Sequence, residues 1–148
     1  MMNIAANFLL LASLSGPPGQ EALGDVQRSH IEANTPSPAA FSKLLDRDLL
    51  AYSRSEISKS ITSVESSLLR DGPTQSGVSY PKFYVWARFI SKKGKLIEGA
   101  VRVEAINRER FEVTDFVSAK DIRRIPDESL SMFPVALRKT IIGMAAKQ

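Results

Sequence analysis

Apolar residues recur along this chain with two different periods, and the change of period marks where helix gives way to strand. Phe41, Leu45, Leu49 and Tyr52 follow one another at spacings of four, four and three, which puts them on one face of an α-helix. Ser37-Pro38 ahead of them is a helix start, a hydroxyl to cap free amides and then a proline where its missing N–H is harmless. The phase breaks near Ser53, where Ser53-Arg54-Ser55-Glu56 has the S-x-x-E form of a capping box. Ile57, Ile61, Val64 and Leu68 then recur at four, three and four, and Asp71-Gly72-Pro73 provides a left-handed cap and a stop. The pattern predicts two helices, over 38–52 and 54–70, or one long helix kinked at Ser53. The serines of the second segment give it little intrinsic helix stability, so it must pack its apolar stripe.

From Lys82 the period changes to two. Lys82 to Ile90 (KFYVWARFI) is aromatic and β-branched, with Phe83, Val85, Ala87 and Phe89 on one face and Lys82, Tyr84, Trp86, Arg88 and Ile90 on the other. Ser91-Lys92-Lys93-Gly94-Lys95 is a polar turn with glycine, a hairpin signal. Leu96 to Ile106 alternates cleanly, with Ile97, Gly99, Val101, Val103 and Ala105 inward and Glu98, Arg102 and Glu104 outward. Asn107-Arg108-Glu109 turns the chain into a third strand, Phe111 to Val117. Phe116 breaks the alternation there, which predicts a bulge or strand end near Asp115.

Ser118-Ala119-Lys120-Asp121 opens a short helix that Pro126 ends, and Leu137, Ile141 and Met144 after Pro134 predict a closing helix over 134–146. No strand–helix–strand alternation supports a parallel sheet. The fold class is therefore α+β: an N-terminal helix or kinked helix pair packed on an antiparallel meander of about three strands, with a C-terminal helix.

A long helix followed by an alternating meander, over residues 38–117, resembles the cystatin-like and NTF2-like folds in element order. The resemblance implies a curved sheet wrapped around a helix, with room for a cone-shaped pocket. The cystatin Q-x-V-x-G loop is absent, since Gln75-Ser76-Gly77-Val78 has another order, and Phe133-Pro134 is a helix start rather than a Pro-Trp hairpin. Protease inhibition therefore does not carry over. NTF2-like enzymes use Asp–His or similar pairs, and the single histidine here, His30, lies ahead of the first predicted helix. What carries over is the fold.

Ahead of residue 37 the chain reads differently. Ile4 to Leu14 (IAANFLLLASL) has the length of a secretory h-region, and Ala22-Leu23-Gly24 is a small-x-small step before Asp25, but no Lys or Arg precedes Arg28. If the apolar stretch is a signal the protein is periplasmic or secreted; otherwise the expected location is the cytoplasm. The GPPG and NTPSP segments read as loop, so residues 1–36 are expected to be a signal-like or flexible segment carrying a solvated His30, with 37–148 a single domain.

Composition narrows the chemistry. The chain has 148 residues, no cysteine and one histidine, which removes disulfide scaffolds, thiol chemistry, zinc ribbons and His-pair sites. Phosphate-binding glycine loops and G-x-S-x-G elbows are absent, and the serines have no histidine in the folded region to activate them. No pattern requires a cofactor or a metal, and no apolar run reaches the roughly 18 residues of a membrane-spanning helix. The net charge is +4, with the basic excess between Lys82 and Arg124, compatible with an anionic partner. Basic and aromatic residues interleave there as in single-strand binders. However, Glu98, Glu104, Glu109 and Glu112 lie among them and would repel phosphate, which argues against nucleic acid.

One constellation stands out: Tyr84, Trp86 and Arg88 beside Glu98, Arg102 and Glu104 on the outward faces of two paired strands. Arg88 is expected to pair with Glu98 across the hairpin. Tyr84, Trp86, Arg88 and Arg102 would form a recognition face if the aromatics are exposed. They would instead be structural if a terminal helix covers Trp86. The chain reads first as a non-catalytic binding domain for a partner protein or a small apolar ligand, in a bacterial envelope or secreted setting. The alternatives are a small enzyme with a pocket inside the sheet, using Asp115, Tyr84 or Arg102, and a basic nucleic-acid accessory protein.

Overall fold

The computed structural model describes residues 18–147, and the signal-like stretch Ile4 to Leu14 lies outside them. The element order is α1 (Pro18–Asn34), α2 (Pro38–Glu56), β1 (Ile61–Leu68), β2 (Lys82–Ser91), β3 (Leu96–Ile106), β4 (Arg110–Ser118), α3 (Ala119–Arg124), α4 (Pro126–Ser129) and α5 (Val135–Ala146). The four strands form one antiparallel sheet in sequence order, a meander. The class is α+β, with two N-terminal helices and a C-terminal helix around that sheet. No helix among the described residues is long and apolar enough to cross a membrane.

Helix α2 lays the predicted face, Leu45 and Leu49 buried with Phe41 half-buried, onto Phe83, Val85, Phe89, Val101, Val103 and Phe111. Phe41 meets the edges of both Phe83 and Phe111 at 5.0 Å between ring centres, the T-shaped geometry that aromatic quadrupoles favour. Ser37 occupies the N-cap position, but its hydroxyl makes no capping bond; its carbonyl accepts from the amides of Ala40 and Phe41.

The second predicted helix, 54–70, is not formed. α2 runs on to Glu56, and Ile61–Leu68 is a strand, so the meander has four strands rather than three. The presumed capping box is the last turn of α2: Ser53 is fully buried and donates its hydroxyl to the Leu50 carbonyl at 2.8 Å. Ile61, Thr62 and Val64 are β-branched and the serines are poor helix formers, so helical spacing in this segment is coincidental. α2 also holds β1 by polar contacts: Arg54 Nε donates to the Ile61 carbonyl at 2.8 Å and Ser66 Oγ to Asp46 Oδ1 at 3.0 Å. Gly72 does take the left-handed conformation (φ 81°), in the loop after β1.

The expected irregularity near Asp115 is present. Arg102 pairs with Asp115 and the next residue, Val103, with Val113, leaving Thr114 as the extra residue of a bulge. The bulge turns Phe116 toward the core, opposite Val101, where strict alternation would have placed Asp115.

The segment before α2 departs from the loop reading. Pro18–Asn34 is helical, and its end is docked. Buried Asn34 donates from Nδ2 to the His30 carbonyl (2.8 Å), and its Oδ1 accepts from the Asn107 amide (2.9 Å). The Asn34 carbonyl accepts from Arg108 N at 2.9 Å. Asn107 and Arg108 both have positive φ (53° and 64°), the left-handed conformation at the centre of the tight turn in which the Ile106 carbonyl accepts from the Glu109 amide. For arginine that conformation costs about 1–2 kcal/mol, and the two bonds from Asn34 hold it. His30 is half-buried and stacks on Tyr80 with 6.2 Å between ring centres, so it is not a solvated linker residue. Asn34→Ala should lower the unfolding free energy by about 1–3 kcal/mol, because it orphans the part-buried Asn107 amide and removes the side-chain tie to the His30 carbonyl. Denaturant melts check this; a change within about 0.5 kcal/mol, as at a surface site, would show that α1 is not docked through Asn34.

Candidate functional site

The outward face of β2 and β3 is a ladder of cross-strand pairs: Lys82 with Glu104, Tyr84 with Arg102, Trp86 with Ala100, and Arg88 with Glu98. All four sequence-predicted residues, Tyr84, Trp86, Arg88 and Arg102, therefore share one face. The middle of that face is not open. Tyr84 and Trp86 are each 4% exposed, packed with Ala119, Ile122, Leu130, Phe133, Ile141 and Ala145 of the C-terminal segment in a second core. Tyr84 lies 5.9 Å from Phe133 between ring centres, and its hydroxyl is 2.8 Å from Thr74 Oγ1. The exposed aromatic platform expected of a recognition face is absent here because α5 must bury its own apolar face, and this side of the sheet receives it.

The two arginines flank the aromatic row and are both engaged. Arg102 NH1 lies 3.2 Å from Asp115 Oδ2, with the Thr114 hydroxyl donating to the Arg102 carbonyl at 3.1 Å. Burial works against the Arg102 charge, but hydrogen bonding and attraction from Tyr84 and Asp115 outweigh it and hold its pKa above the ordinary value. Tyr84, Arg102 and Asp115, the polar groups of the enzyme alternative, thus lie together, Tyr84 buried and the other two half-buried, and bond to one another or to Thr74. Among the described residues no group of three His, Asp or Glu side chains could hold a metal ion.

At the other end of the ladder the expected cross-strand pair is formed. Arg88 Nε donates to Glu98 Oε2 at 3.1 Å, while Arg88 NH1 is 3.1 Å from Glu65 Oε2 on β1. Glu98 is the unexpected member. Its side chain is 6% exposed, and its second oxygen, Oε1, is buried with no hydrogen-bond partner. Two hollows meet at this residue. One, of about 290 Å³, is lined by Leu96, Ile97, Glu98, Ala119, Lys120 and Arg123. The other, also about 290 Å³, has Ser67, Trp86, Arg88, Glu98, Met144 and Lys147 in its walls.

Gly99 explains why the end of β4 and the start of α3 approach so closely. A Cβ there would stand 2.0 Å from the Val117 carbonyl oxygen and 2.9 Å from Ser118 Cα, so only glycine lets the chain cross at that height. Ser118 then caps α3, its hydroxyl accepting from the Asp121 amide at 3.2 Å, and α3 carries Lys120 and Arg123 to the rim of the first hollow.

Sequence reasoning missed Glu98 as a site residue because alternation assigned it to a solvated face. The available signal was its neighbour Gly99, in a strand otherwise filled by larger residues, together with an apolar C-terminal helix that needed a surface. The chain matches no family model, no curated protein and no solved structure in comparisons of sequence and fold. Gly99→Ala should destabilise the protein by about 1–3 kcal/mol, the usual cost of overpacking, and should move the amide resonances of Ser118 and Lys120. Unchanged stability and spectra would mean that β4 does not cross Gly99 this closely.

Proposed function

We propose that this chain is a non-catalytic binding domain that takes a small ligand with an apolar body into the cleft beside Glu98. The observation that carries the reading is the buried Glu98 carboxylate with one oxygen unpartnered. A carboxylate removed from water stabilises the fold poorly unless its lone pairs are met, and leaving one orphaned costs free energy. A ligand donor that reaches Oε1, which is closed to solvent in the free protein, offsets that cost on binding. The walls support the same reading: Leu96, Ile97 and Ala119 are apolar, and Glu98, Ser118, Lys120 and Arg123 supply the polar groups, the usual make-up of a small-molecule site. The volume of about 290 Å³ lies near the lower end of the roughly 300–1,000 Å³ range of such pockets, which suits a metabolite of few heavy atoms.

The test uses the full chain labelled with ¹⁵N and two probes, isopentanol and isopentylamine. Both should give saturable shifts at the amides of Leu96 to Gly99 and Ser118 to Lys120, with dissociation constants of about millimolar order. Glu98→Gln should weaken isopentylamine more than isopentanol, because it removes the charge and keeps the shape. Shifts that do not saturate, or that fall elsewhere with both probes, would overturn the reading.

A further inference from the structure

Resting on the cleft just proposed, we infer that its ligand class is a short zwitterion of the amino-acid type, held with its ammonium group inward on Glu98 and its carboxylate outward on Lys120 and Arg123. The first half of the argument is a charge count at depth. Arg88 is the one guanidinium bonded to Glu98, and it is shared with Glu65, which lies at 3.1 Å from its NH1. One guanidinium thus serves two carboxylates, so Glu98 shares its bonded counter-charge with Glu65. The unpartnered oxygen is the buried one, Oε1 of Glu98. A charged N–H donor meets both needs, because it satisfies the lone pair and neutralises the remaining charge, and such bonds are about twice as strong as neutral ones.

The second half concerns the mouth. Lys120 and Arg123 line the same hollow as Glu98, so cations stand at the rim of a cleft whose interior is anionic. Arg123 donates to the Ala145 carbonyl at 2.9 Å and keeps its charge, and Lys120 forms no ion pair among the described residues. Asp121, the nearest carboxylate in sequence, is turned to Arg124, 3.2 Å away. A simple cation would meet repulsion at this rim, and a simple anion would meet it at Glu98. A molecule carrying both charges, amine first, meets neither. Between them, the apolar walls of Leu96, Ile97 and Ala119 favour an aliphatic portion over a polar one.

The experiment is a calorimetric and NMR comparison on the full chain with leucine and 6-aminohexanoate as zwitterions of different charge spacing. Isopentylamine and 4-methylpentanoate serve as the partners that lack one charge. At least one zwitterion should bind about tenfold or more tighter than either single-charge probe, the effect expected of one added charge-assisted bond. Glu98→Gln should bring that zwitterion down to the level of 4-methylpentanoate. Lys120→Ala, a change at an exposed position that leaves folding intact, should bring it down to the level of isopentylamine. If the single-charge probes or isopentanol saturate the cleft amides while neither zwitterion is tighter, the ligand class is wrong and the binding cleft stands. If no probe perturbs those amides, the cleft itself falls and this inference with it.

Discussion

Every position from Pro81 to Ala87 is buried, so both faces of the sheet have to be covered, and the placement of the other elements follows from that requirement. A strand buried on both sides reads as a nearly continuous apolar run rather than as clean alternation, and FYVWA is such a run. Helix α2 covers the face of Phe83, Val85, Ala87 and Phe89, and the C-terminal segment α3 to α5 covers that of Tyr84 and Trp86. Each large side chain shielded this way contributes roughly 1.5–3 kcal/mol relative to leaving it in water, so the two cores support each other through one layer of strands. Lys82, the charged residue inside the run, is accommodated because its ammonium lies 3.0 Å from Glu104 and donates to the Tyr80 carbonyl at 2.7 Å.

The uncovered fringe of that double layer is where chemistry collects. Covering the Trp86 row with α5 drives the charged rungs to either end of the ladder. At one end Arg102 is paired with Asp115 through NH1, while its Nε is buried without a hydrogen-bond partner. At the other, Glu65 and Glu98 share Arg88, and Glu98 is nearly out of water. Gly99 admits the close approach of Val117 and Ser118, and α3, which follows them, shares a hollow with Glu98. The proposed site is thus a product of the same packing that stabilises the fold.

Much of the architecture was legible where a single period dominates. The α2 face, the two central strands, the Arg88–Glu98 pair, the bulge that restores Phe116 to the core and the closing helix all follow from local pattern. Residues 57–68 satisfy helical spacing through Ile57, Ile61, Val64 and Leu68, whereas Ile57 caps α2 and the other three lie on an edge strand whose serines blur the alternation. The helical segment before Asn34 was hidden by flanking Gly and Pro, and its docking depends on the Asn107-Arg108 turn, a contact no local pattern contains. The recognition face was legible as a set of residues but not as an environment: sequence placed Tyr84, Trp86, Arg88 and Arg102 together, and only the tertiary position of α5 decides which of them meet solvent.

The double burial of the sheet is best tested through its single tryptophan. Trp86 lies in the second core beneath the C-terminal helix, so native fluorescence should be shifted to the blue and poorly quenched by acrylamide or iodide. Unfolding should move the emission to the red and restore full quenching in the same cooperative transition that far-ultraviolet circular dichroism reports. Red-shifted, freely quenched emission from the folded protein would place Trp86 on an open face and contradict the covered sheet on which the Glu98 cleft depends.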